Sequence, residues 1–346
     1  MKKEKVTRLL AAGLAVMMVA GMATGCRKSD SGSSDGGDKK DAKSDVLIGS
    51  AIYKFDDTFM TGVRTAMTDQ AKEAKVDLEL VDSQNKQATQ NEQVDTFITK
   101  GVNALAINPV DRTAAGPIIE KAKAKDLPIV FLNREPEEAD MQSYDKVWYV
   151  GAKAEQSGTL SGEIIADFFK AHPEADKNGD GTIQYVMLQG EPGHQDATLR
   201  TEYSVKAIEE ADKAKATDLM KAFITGQSLD KIEAVLCNND DMALGAIEAL
   251  KAEGYNKDSS DLSKYIPVVG VDATAPALEA MKEGSLLGTV LNDADNQGKA
   301  TVNVAVAAVN GKEINEENVG YPITDGKYIW IDYVKVTEDN YQDYMK

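Results

Sequence analysis

An acidic nine-residue segment carries oxygen-bearing side chains at every second position. The residues at its first, third, fifth, seventh and ninth places are Asp176, Asn178, Asp180, Thr182 and Gln184. A hard cation needs several oxygen ligands at about 2.3–2.6 Å, and a glycine at the sixth place, here Gly181, permits the turn that gathers them. The spacing predicts a calcium loop rather than a solvated acidic turn. An EF-hand has a bidentate Glu at the twelfth place, which is Met187 here, so a distant carboxylate must complete the shell.

Polar side chains also stand where several apolar runs end. They are Tyr53, Asp57, Asn108, Asn133, Asn239, Asp240, Asp272 and Asn292. Each of them alone is more typical of a helix cap or an Asx turn than of a ligand contact. In an open parallel sheet, however, ligands bind outside the carboxyl ends of the strands. The repetition of polar residues at equivalent places therefore predicts a binding site.

Such residues must be positioned by parallel strands, and the sequence has the matching pattern. From Val46 onward, short apolar runs alternate with longer segments of helical period, as in βαβ units. The predicted strands are 46–53, 76–81, 104–108, 128–133, 147–151, 183–189, 234–238, 268–271 and 286–291. The predicted helices are 59–73, 89–100, 115–125, 157–170, 242–252, 275–282 and 297–309. Because 346 residues exceed what one core usually organises, we expect an α/β protein of two domains.

The alternation is interrupted between His194 and Gly226. This stretch is helix-like throughout, has no apolar strand-type run and has no Gly or Pro before Gly226. A single helix of that length would be long for a globular domain. We expect either two helices that meet near Ala211 and Asp212 without a strand between them, or a strand that has been lost.

The N-terminus has the features of an export signal. A basic start is followed by an apolar run at 9–23, which is shorter than the roughly 20 residues that span a bilayer. The sequence Ala-Thr-Gly-Cys at 23–26 is typical of a lipoprotein processing site, although Leu is commoner than Ala at its first place. We therefore predict a signal peptide at 1–25 and a lipid-anchored Cys26, in preference to a transmembrane anchor.

The segment that follows is predicted to be a flexible tether. Residues 26–45 are mostly Lys, Ser, Asp and Gly and contain no large apolar side chain, so they have no core to fold around. The chain has only two cysteines, Cys26 and Cys237, which gives an exported protein no disulfide framework. Cys237 lies in an apolar run and is interpreted as a small buried thiol.

Charge and motifs argue against two classes of function. Removal of 1–25 takes away four basic residues and one acidic residue, so the formal charge changes from −18 to −21, which should repel nucleic acid. The chain has two histidines and lacks a nucleophile elbow, a Walker loop and a dinucleotide-binding fingerprint. The adjacent Asp56 and Asp57 point apart and cannot act as a catalytic pair. We predict that the protein is not an enzyme.

Three segments resemble the glucose/galactose-binding proteins: IYKFDDTFM at 52–60, GEPGHQD at 190–196 and GTVLND at 288–293. The resemblance covers nearly all of 46–346. It implies a type I periplasmic binding protein, with two doubly wound parallel-sheet domains joined by a three-segment hinge. The N-terminal domain would comprise 46–152 and 292–329, and the C-terminal domain 153–291 and 330–346. It also implies an extracytoplasmic monomer that captures D-galactose or D-glucose for an ABC permease.

The same matching implies the residues that bind the ligands. The sugar-binding residues would be Tyr53, Asp57, Phe59, Asn133, His194, Asp196, Arg200, Asn239, Asp272 and Asn292. Phe59 would pack against the apolar face of the sugar ring. The distant carboxylate of the calcium loop would be Glu233.

The interrupted stretch is the main departure from the family. The family has a strand there, followed by a loop whose tryptophan stacks on the sugar, whereas this chain has only Trp148 and Trp330, neither at that place. We expect one strand of the second domain to be missing. Loss of an aromatic wall, worth on the order of 1 kcal/mol, should weaken sugar binding.

Several alternatives remain open at this level. A ribose or xylose binder shares the fold, and a sugar sensor could present its ligand to a chemoreceptor instead of a permease. A sugar-responsive repressor would need a basic helix-turn-helix headpiece, which residues 1–45 do not provide. A dockerin would carry two calcium motifs, and this chain has one.

Overall fold

The computed structural model describes residues 45–191, 194–211, 217–218 and 229–345. The predicted signal peptide, Cys26 and the tether at 26–45 fall almost wholly outside these ranges. Within them, every helix is too short or too polar to cross a lipid bilayer. The described chain forms two parallel sheets flanked by helices, which confirms the predicted α/β class. The predicted domain boundaries remain a prediction.

The first sheet has six parallel strands. They are β1 Leu47–Ile52, β2 Asp77–Asp82, β3 Ala104–Ile107, β4 Ile129–Leu132, β5 Val147–Gly151 and β11 Tyr328–Trp330, in the spatial order β11-β5-β4-β3-β1-β2. The strand order reverses between β1 and β3, so a crevice is expected at their carboxyl ends. The helices beside this sheet are α1 Thr58–Ala74, α2 Gln87–Lys100, α3 Ala115–Lys123, α4 Glu138–Met141, α9 Ala294–Val309 and α10 Glu316–Val319.

The first sheet is covered on both faces, which explains its continuous apolar runs. On one face, α1 and α9 supply Met60, Val63 and Val304 to a core that includes Ile48 of β1. On the other face, α2 and α3 supply a second core, to which Phe97 belongs. The carboxyl ends of the strands are thereby left as the place where polar residues can meet.

The second sheet is smaller. Its strands are β6 Gln184–Leu188, β7 Thr217–Asp218, β8 Ala234–Cys237 and β9 Val268–Val269, in the order β7-β6-β8-β9. It continues through bridges to β10 Thr289–Leu291, which pairs antiparallel with β12 Val334–Val336. The helices in this part are α5 Ala154–Ala171, α6 Gln195–Ala211, α7 Asp240–Ala252 and α8 Ala275–Lys282.

The edge of the second sheet corrects the sequence prediction. No strand was expected between His194 and Gly226, but β7 pairs in parallel with Gln184 and Tyr185 of β6. A two-residue strand is too short to produce an apolar alternation, and its pairing depends on a neighbour distant in sequence. Residues 212–216 and 219–228 lie outside the described ranges, so the proposed loss of a segment there stays a prediction. The short strands β11 and β12 were also not predicted, for the same reason.

Two glycines bring α5 unusually close to α6. A Cβ added at Gly158 would lie 2.7 Å from the carbonyl oxygen of Arg200, and one at Gly162 would lie 2.4 Å from that of Ser204. Both distances are below any normal contact, so only glycine permits this approach. The packing of α5 thus fixes the position of α6, the helix that begins beside the candidate site.

Candidate functional site

A cavity of about 260 Å³ lies where the carboxyl ends of strands from both sheets meet. Its lining includes all ten residues that the sequence singled out for sugar binding: Tyr53, Asp57, Phe59, Asn133, His194, Asp196, Arg200, Asn239, Asp272 and Asn292. The volume is slightly below the roughly 300–1,000 Å³ of typical small-molecule sites, as suits a small ligand. Residues far apart in sequence are therefore gathered around one small polar space.

One wall of the cavity contains a hydrogen-bonded pair, Tyr53 and Asp57, in the segment that follows β1. The hydroxyl of Tyr53 donates to Oδ2 of Asp57 at 2.5 Å, while Oδ1 of Asp57 accepts from the backbone N–H of Met60 at 2.7 Å. Asp57 is thus the N-cap of α1 as well as a cavity residue. Burial, reinforced by the Asp57 carboxylate, raises the pKa of Tyr53, which keeps its hydroxyl protonated. The nearby Phe59 is 9% exposed and supplies an apolar surface.

Asn133 is oriented by a residue beneath the cavity. Its backbone lies in the left-handed region, with φ of 62°, which Asn tolerates better than most residues. The buried Asn108 donates Nδ2 to Oδ1 of Asn133 at 3.1 Å and accepts from the backbone N–H of Tyr53 at 3.2 Å. Asn108, one of the polar residues at the ends of apolar runs, therefore supports two cavity residues and does not itself line the cavity.

Arg134 is a cavity residue that the sequence analysis missed. Its guanidinium lies 4.0 Å from the centre of the Tyr53 ring and donates Nη1 to the carbonyl oxygen of Val110 at 2.6 Å. Its Nη2 is 3.8 Å from Oε2 of Glu191, which follows β6. Its place directly after Asn133 was the available signal, but nothing in the local pattern distinguished it from a solvated arginine.

Arg200 organises the opposite wall. It donates Nη1 to the carbonyl oxygen of Asn238 at 2.7 Å and Nη2 to the hydroxyl of Tyr333 at 2.9 Å. Nη2 also lies 3.5 Å from Asp196 and 4.0 Å from Asp272. Its Nε is buried without a hydrogen-bond partner among the described residues. A guanidinium has five N–H donors, and a fixed one whose donors are not all used by Asn238 and Tyr333 is suited to a ligand oxygen.

Asp272 lies on a strained turn held from below. Its φ is 120°, a value that a non-glycine residue rarely adopts. The buried Asp240 secures this segment, because its two oxygens accept from the backbone N–H of Thr274 and from Oγ1 of Thr289, each at 2.7 Å. Burial raises the pKa of Asp272 well above its usual range, against the opposing effect of Arg200. Asp240 is therefore a support, although the sequence grouped it with candidate ligand residues.

His194 and Asn239 complete the second wall. The ring Nδ1 of His194 accepts from the backbone N–H of Asp196 at 3.2 Å, which leaves Nε2 as the protonated nitrogen of the neutral ring. Burial lowers the pKa of His194, so the ring is neutral at pH 7. Asn239 is the N-cap of α7 and accepts from the N–H of Met242 at 3.0 Å. Each side chain therefore keeps one polar group available to a ligand.

The predicted calcium loop is formed around its acidic residues. Asp176 accepts from the backbone N–H groups of Gly179 and Gly181, and Asp180 accepts from that of Thr182. Asn178 Nδ2 lies 3.1 Å from Gln184 Oε1. Asn178 and Gln184 also donate their amide nitrogens to Asp180, so the side chains of these three alternate loop residues lie together.

Glu233 lies beside this loop, where the resemblance placed it. It is 1% exposed, and its two oxygens accept from the backbone N–H groups of Lys177 at 2.7 Å and Gln184 at 2.9 Å. Burial raises its pKa, and the nearby Asp176 adds to the effect. In the described part of the chain, no three His, Cys, Asp or Glu side chains form a metal-binding group by themselves. A cation here would also need the amide and carbonyl oxygens, which is the donor chemistry of Ca²⁺.

Comparison with known proteins places the chain in a family. The family described as periplasmic binding protein domain matches residues 48–313. The D-galactose/methyl-galactoside binding periplasmic protein of Haemophilus influenzae is 41% identical over 87% of this chain and 92% of its own length. The ribose import binding protein of Bacillus subtilis is 28% identical over 79% of this chain and 85% of its own.

A solved structure agrees with these matches. The ABC transporter solute binding protein of Bacillus halodurans, determined with bound myo-inositol, is 33% identical with a TM-score of 0.69, covering 88% of this chain and 99% of its own. The family match covers far more than half of the sequence. The fold of the solved structure agrees with the two parallel sheets described above. The chain therefore belongs to the periplasmic binding protein family.

Proposed function

We propose that this protein is an extracytoplasmic solute-binding protein that captures D-galactose or D-glucose and delivers it to an ABC importer. The observation that carries the proposal is one cavity lined by amide, carboxylate, imidazole and guanidinium groups together with the apolar ring of Phe59. The similarity to a galactose-binding protein of Haemophilus influenzae supports the choice of sugar. The relatives are binding proteins, which supports a role without catalysis.

The chemistry of the cavity suits a monosaccharide. Each sugar hydroxyl both donates and accepts a hydrogen bond, so groups such as Asp57, Asn133 and Arg200 can each satisfy one or two hydroxyls. An epimer with a displaced hydroxyl would leave one of these buried groups unpaired, at a cost of about 1–3 kcal/mol. Phe59 would contact the C–H face of the ring.

Closure of the cleft is the proposed response to ligand. Two contacts already link opposite sides of the cavity: Thr58 Oγ1 donates to Asp241 at 3.0 Å, and Arg134 lies near Glu191. A sugar that contacts both walls binds the closed form better than the open one and shifts the equilibrium towards it. A permease, or a chemoreceptor, could then recognise the closed form.

A calcium ion and a lipid anchor belong to the same proposal. Asp176, Asn178, Asp180, Gln184 and Glu233 would hold the ion by side-chain oxygens, with Thr182 supplying its carbonyl oxygen. The ion would cross-link the loop to the start of β8 and stabilise the second sheet. A lipid on Cys26 would keep the protein at the membrane beside its permease.

A second candidate is a binder of another polyol. Two observations favour it: the similarity to a ribose import binding protein and to a solute-binding protein solved with myo-inositol. The aromatic residues that line the cavity on the described chain are Tyr53 and Phe59, and neither Trp148 nor Trp330 is among them. A cavity without a tryptophan wall would discriminate less strongly for the hexose ring.

Isothermal titration of the purified full chain would test the proposal. The ligands would be D-galactose, D-glucose, D-ribose, D-xylose and myo-inositol, each with Ca²⁺ and again after chelation. We expect saturable heat with a hexose and none with the variant Arg200→Met, provided that circular dichroism shows the variant to be folded. Tighter binding of ribose, xylose or inositol would replace the hexose assignment, and no heat with any of the five would overturn the function.

A further inference from the structure

Gln297 is a buried amide that lies behind the cavity. It belongs to the first turns of α9, is 1% exposed and does not line the cavity. Its Nε2 donates to Oδ1 of Asn292 at 2.6 Å, while its Oε1 is buried without a partner among the described residues. Among the described residues, the polar contact of this buried amide is therefore with Asn292 alone, a residue of the cavity wall.

The Asn292 amide is held at both of its ends. Its Oδ1 accepts from Gln297, and its Nδ2 donates to Oδ1 of Asp272 at 3.2 Å. If the Asn292 amide rotated by 180°, its nitrogen would face the nitrogen of Gln297 and its oxygen would face the oxygen of Asp272. With the Asp272 carboxylate ionised, both contacts would then be repulsive, so the two neighbours together select one orientation.

The orientation determines what Asn292 can offer a ligand. An amide oxygen accepts two hydrogen bonds and an amide nitrogen donates two. Asn292 uses one lone pair of Oδ1 with Gln297 and one N–H of Nδ2 with Asp272. It therefore keeps one lone pair and one N–H for the cavity. A single hydroxyl group, which both donates and accepts, matches that pair.

The backbone of Gln297 is held in a fixed position on α9. Its backbone N–H donates to the carbonyl oxygen of Asp293 at 3.0 Å, as part of the regular hydrogen bonding of α9. The next residue, Gly298, packs so closely on α1 that an added Cβ would lie 2.6 Å from Cβ of Ala66. The backbone of α9 therefore cannot move away from α1 at this point, and the Gln297 side chain starts from a fixed position.

We propose that Gln297 is a positioning residue that fixes the Asn292 amide in one orientation and thereby sets the affinity of the cavity for hydroxyl-bearing ligands without touching them. This inference rests on the proposed sugar-binding function. It assigns a role in recognition to a helix residue that does not border the ligand.

Two variants of nearly equal volume separate positioning from packing. Gln297→Met removes the donor, and we expect the dissociation constant to rise about tenfold, the effect of one misoriented hydrogen bond. Gln297→Glu replaces the donor by an acceptor at pH 8, so binding should weaken similarly. At pH 5 its carboxyl group can take up a proton and donate to Asn292, so binding should recover towards that of the parent, whereas Gln297→Met should not recover.

The pH comparison must allow for the other charged groups near Asn292. These are Asp272, which accepts from Asn292, and Arg200, Asp240 and Asp57, whose charges act on Asp272. Each variant is therefore compared with the parent at the same pH. The matched control is Thr301→Val, one turn along α9, which removes a buried hydroxyl but leaves the Gln297 amide in place and should leave affinity unchanged.

A measurement on the free protein separates this inference from the proposed function. In the full chain labelled with ¹⁵N-asparagine, the Asn292 side-chain N–H signals, assigned by their loss in Asn292→Asp, should exchange slowly with solvent. We expect faster exchange in Gln297→Met and an unchanged rate in Thr301→Val. If the parent binds no sugar, the function fails while this test still stands. Unchanged Asn292 signals, or parent-like sugar affinity in Gln297→Met at both pH values, would overturn the positioning role.

Discussion

Nη2 of Arg134 lies 3.8 Å from Oε2 of Glu191, and this ion pair joins the loop after β4 to the loop after β6 across the mouth of the cavity. The Glu191 side chain is 59% exposed, so the pair would contribute only about 0–1 kcal/mol to the proposed closure. The contact is therefore suited to favour the closed form slightly without locking it.

Glu191→Gln tests this contact. We expect the dissociation constant for sugar to rise two- to fivefold and its dependence on salt to decrease, because the lost attraction is screened by ions. Titration at low and high ionic strength measures both effects. The control is Glu137→Gln, which breaks an ion pair with Arg112 within the first sheet's loops and should leave sugar affinity unchanged. Equal effects of the two variants would contradict a role in closure.

Asp57 combines two functions that substitution can separate. Asp57→Ala removes the N-cap of α1 and should lower the free energy of unfolding by about 1 kcal/mol, together with sugar affinity. Asp57→Ser keeps a capping oxygen but loses the second oxygen that Tyr53 contacts, so stability should stay near that of the parent while affinity falls about tenfold or more. Urea unfolding and titration calorimetry provide the two readouts. Full affinity in Asp57→Ser would exclude the carboxylate from ligand binding.

Asp240 should make stability depend on pH. Burial raises the pKa of Asp240 to about 7, far above the value of about 3.9 in an unfolded chain. Between these values the folded protein holds the proton more tightly, so this residue's contribution to stability is present at low pH and is lost as the pH rises through 7. The slope is at most about 1.4 kcal/mol per pH unit.

Asp240→Asn should remove that slope. Urea unfolding between pH 4 and pH 8 would show the free energy of unfolding of the parent falling with rising pH relative to the variant. The exposed Asp261, in an Asx turn, supplies the control, since its charge is not among those that act on Asp240 and Asp261→Asn should retain the parent's slope. If the free energies of unfolding of the parent and of Asp240→Asn differed by the same amount at every pH, the raised pKa of Asp240 would be contradicted.

Calcium should stabilise the second sheet through Glu233. A ligand that binds only the folded state at one hundred times its dissociation constant adds about 2.7 kcal/mol, so Ca²⁺ should raise the Tm by several degrees. Glu233→Gln should reduce that response strongly, because the side chain is buried against the loop. Asp258→Asn, in an exposed Asx turn elsewhere, should respond like the parent. A parent Tm that is insensitive to both Ca²⁺ and chelation would refute the site.

The contact of α5 with α6 predicts a glycine effect on binding. Gly158→Ala would force a Cβ against the carbonyl oxygen of Arg200, so we expect α6 to move, with a loss of more than about 1 kcal/mol in stability and weaker sugar binding. Gly245→Ala, on α7, has open space around its Cβ and should stabilise by about 0.5–1 kcal/mol with unchanged affinity. Thermal unfolding and titration measure the two effects. Parent-like affinity in Gly158→Ala would show that α6 tolerates the shift.

The sequence by itself determined the α/β class and the position of most elements. The apolar runs and helical periods are local, and β3 and β4 are wholly buried strands of the kind that such runs predict. It also located the loop at 176–184, because turn geometry depends on residues adjacent in the chain. The resemblance further named ten residues that the fold brings to one cavity.

Only the tertiary structure decided which polar strand ends face the cavity and which lie beneath it. Asn108 and Asp240 have the same local setting as Asn133 and Asp272, yet they support these residues from below. The difference arises because a side chain's surroundings come from segments distant in sequence. For the same reason, the two-residue strand β7 and the role of Gln297 gave no local signal: pairing and amide orientation depend on partners that only folding brings together.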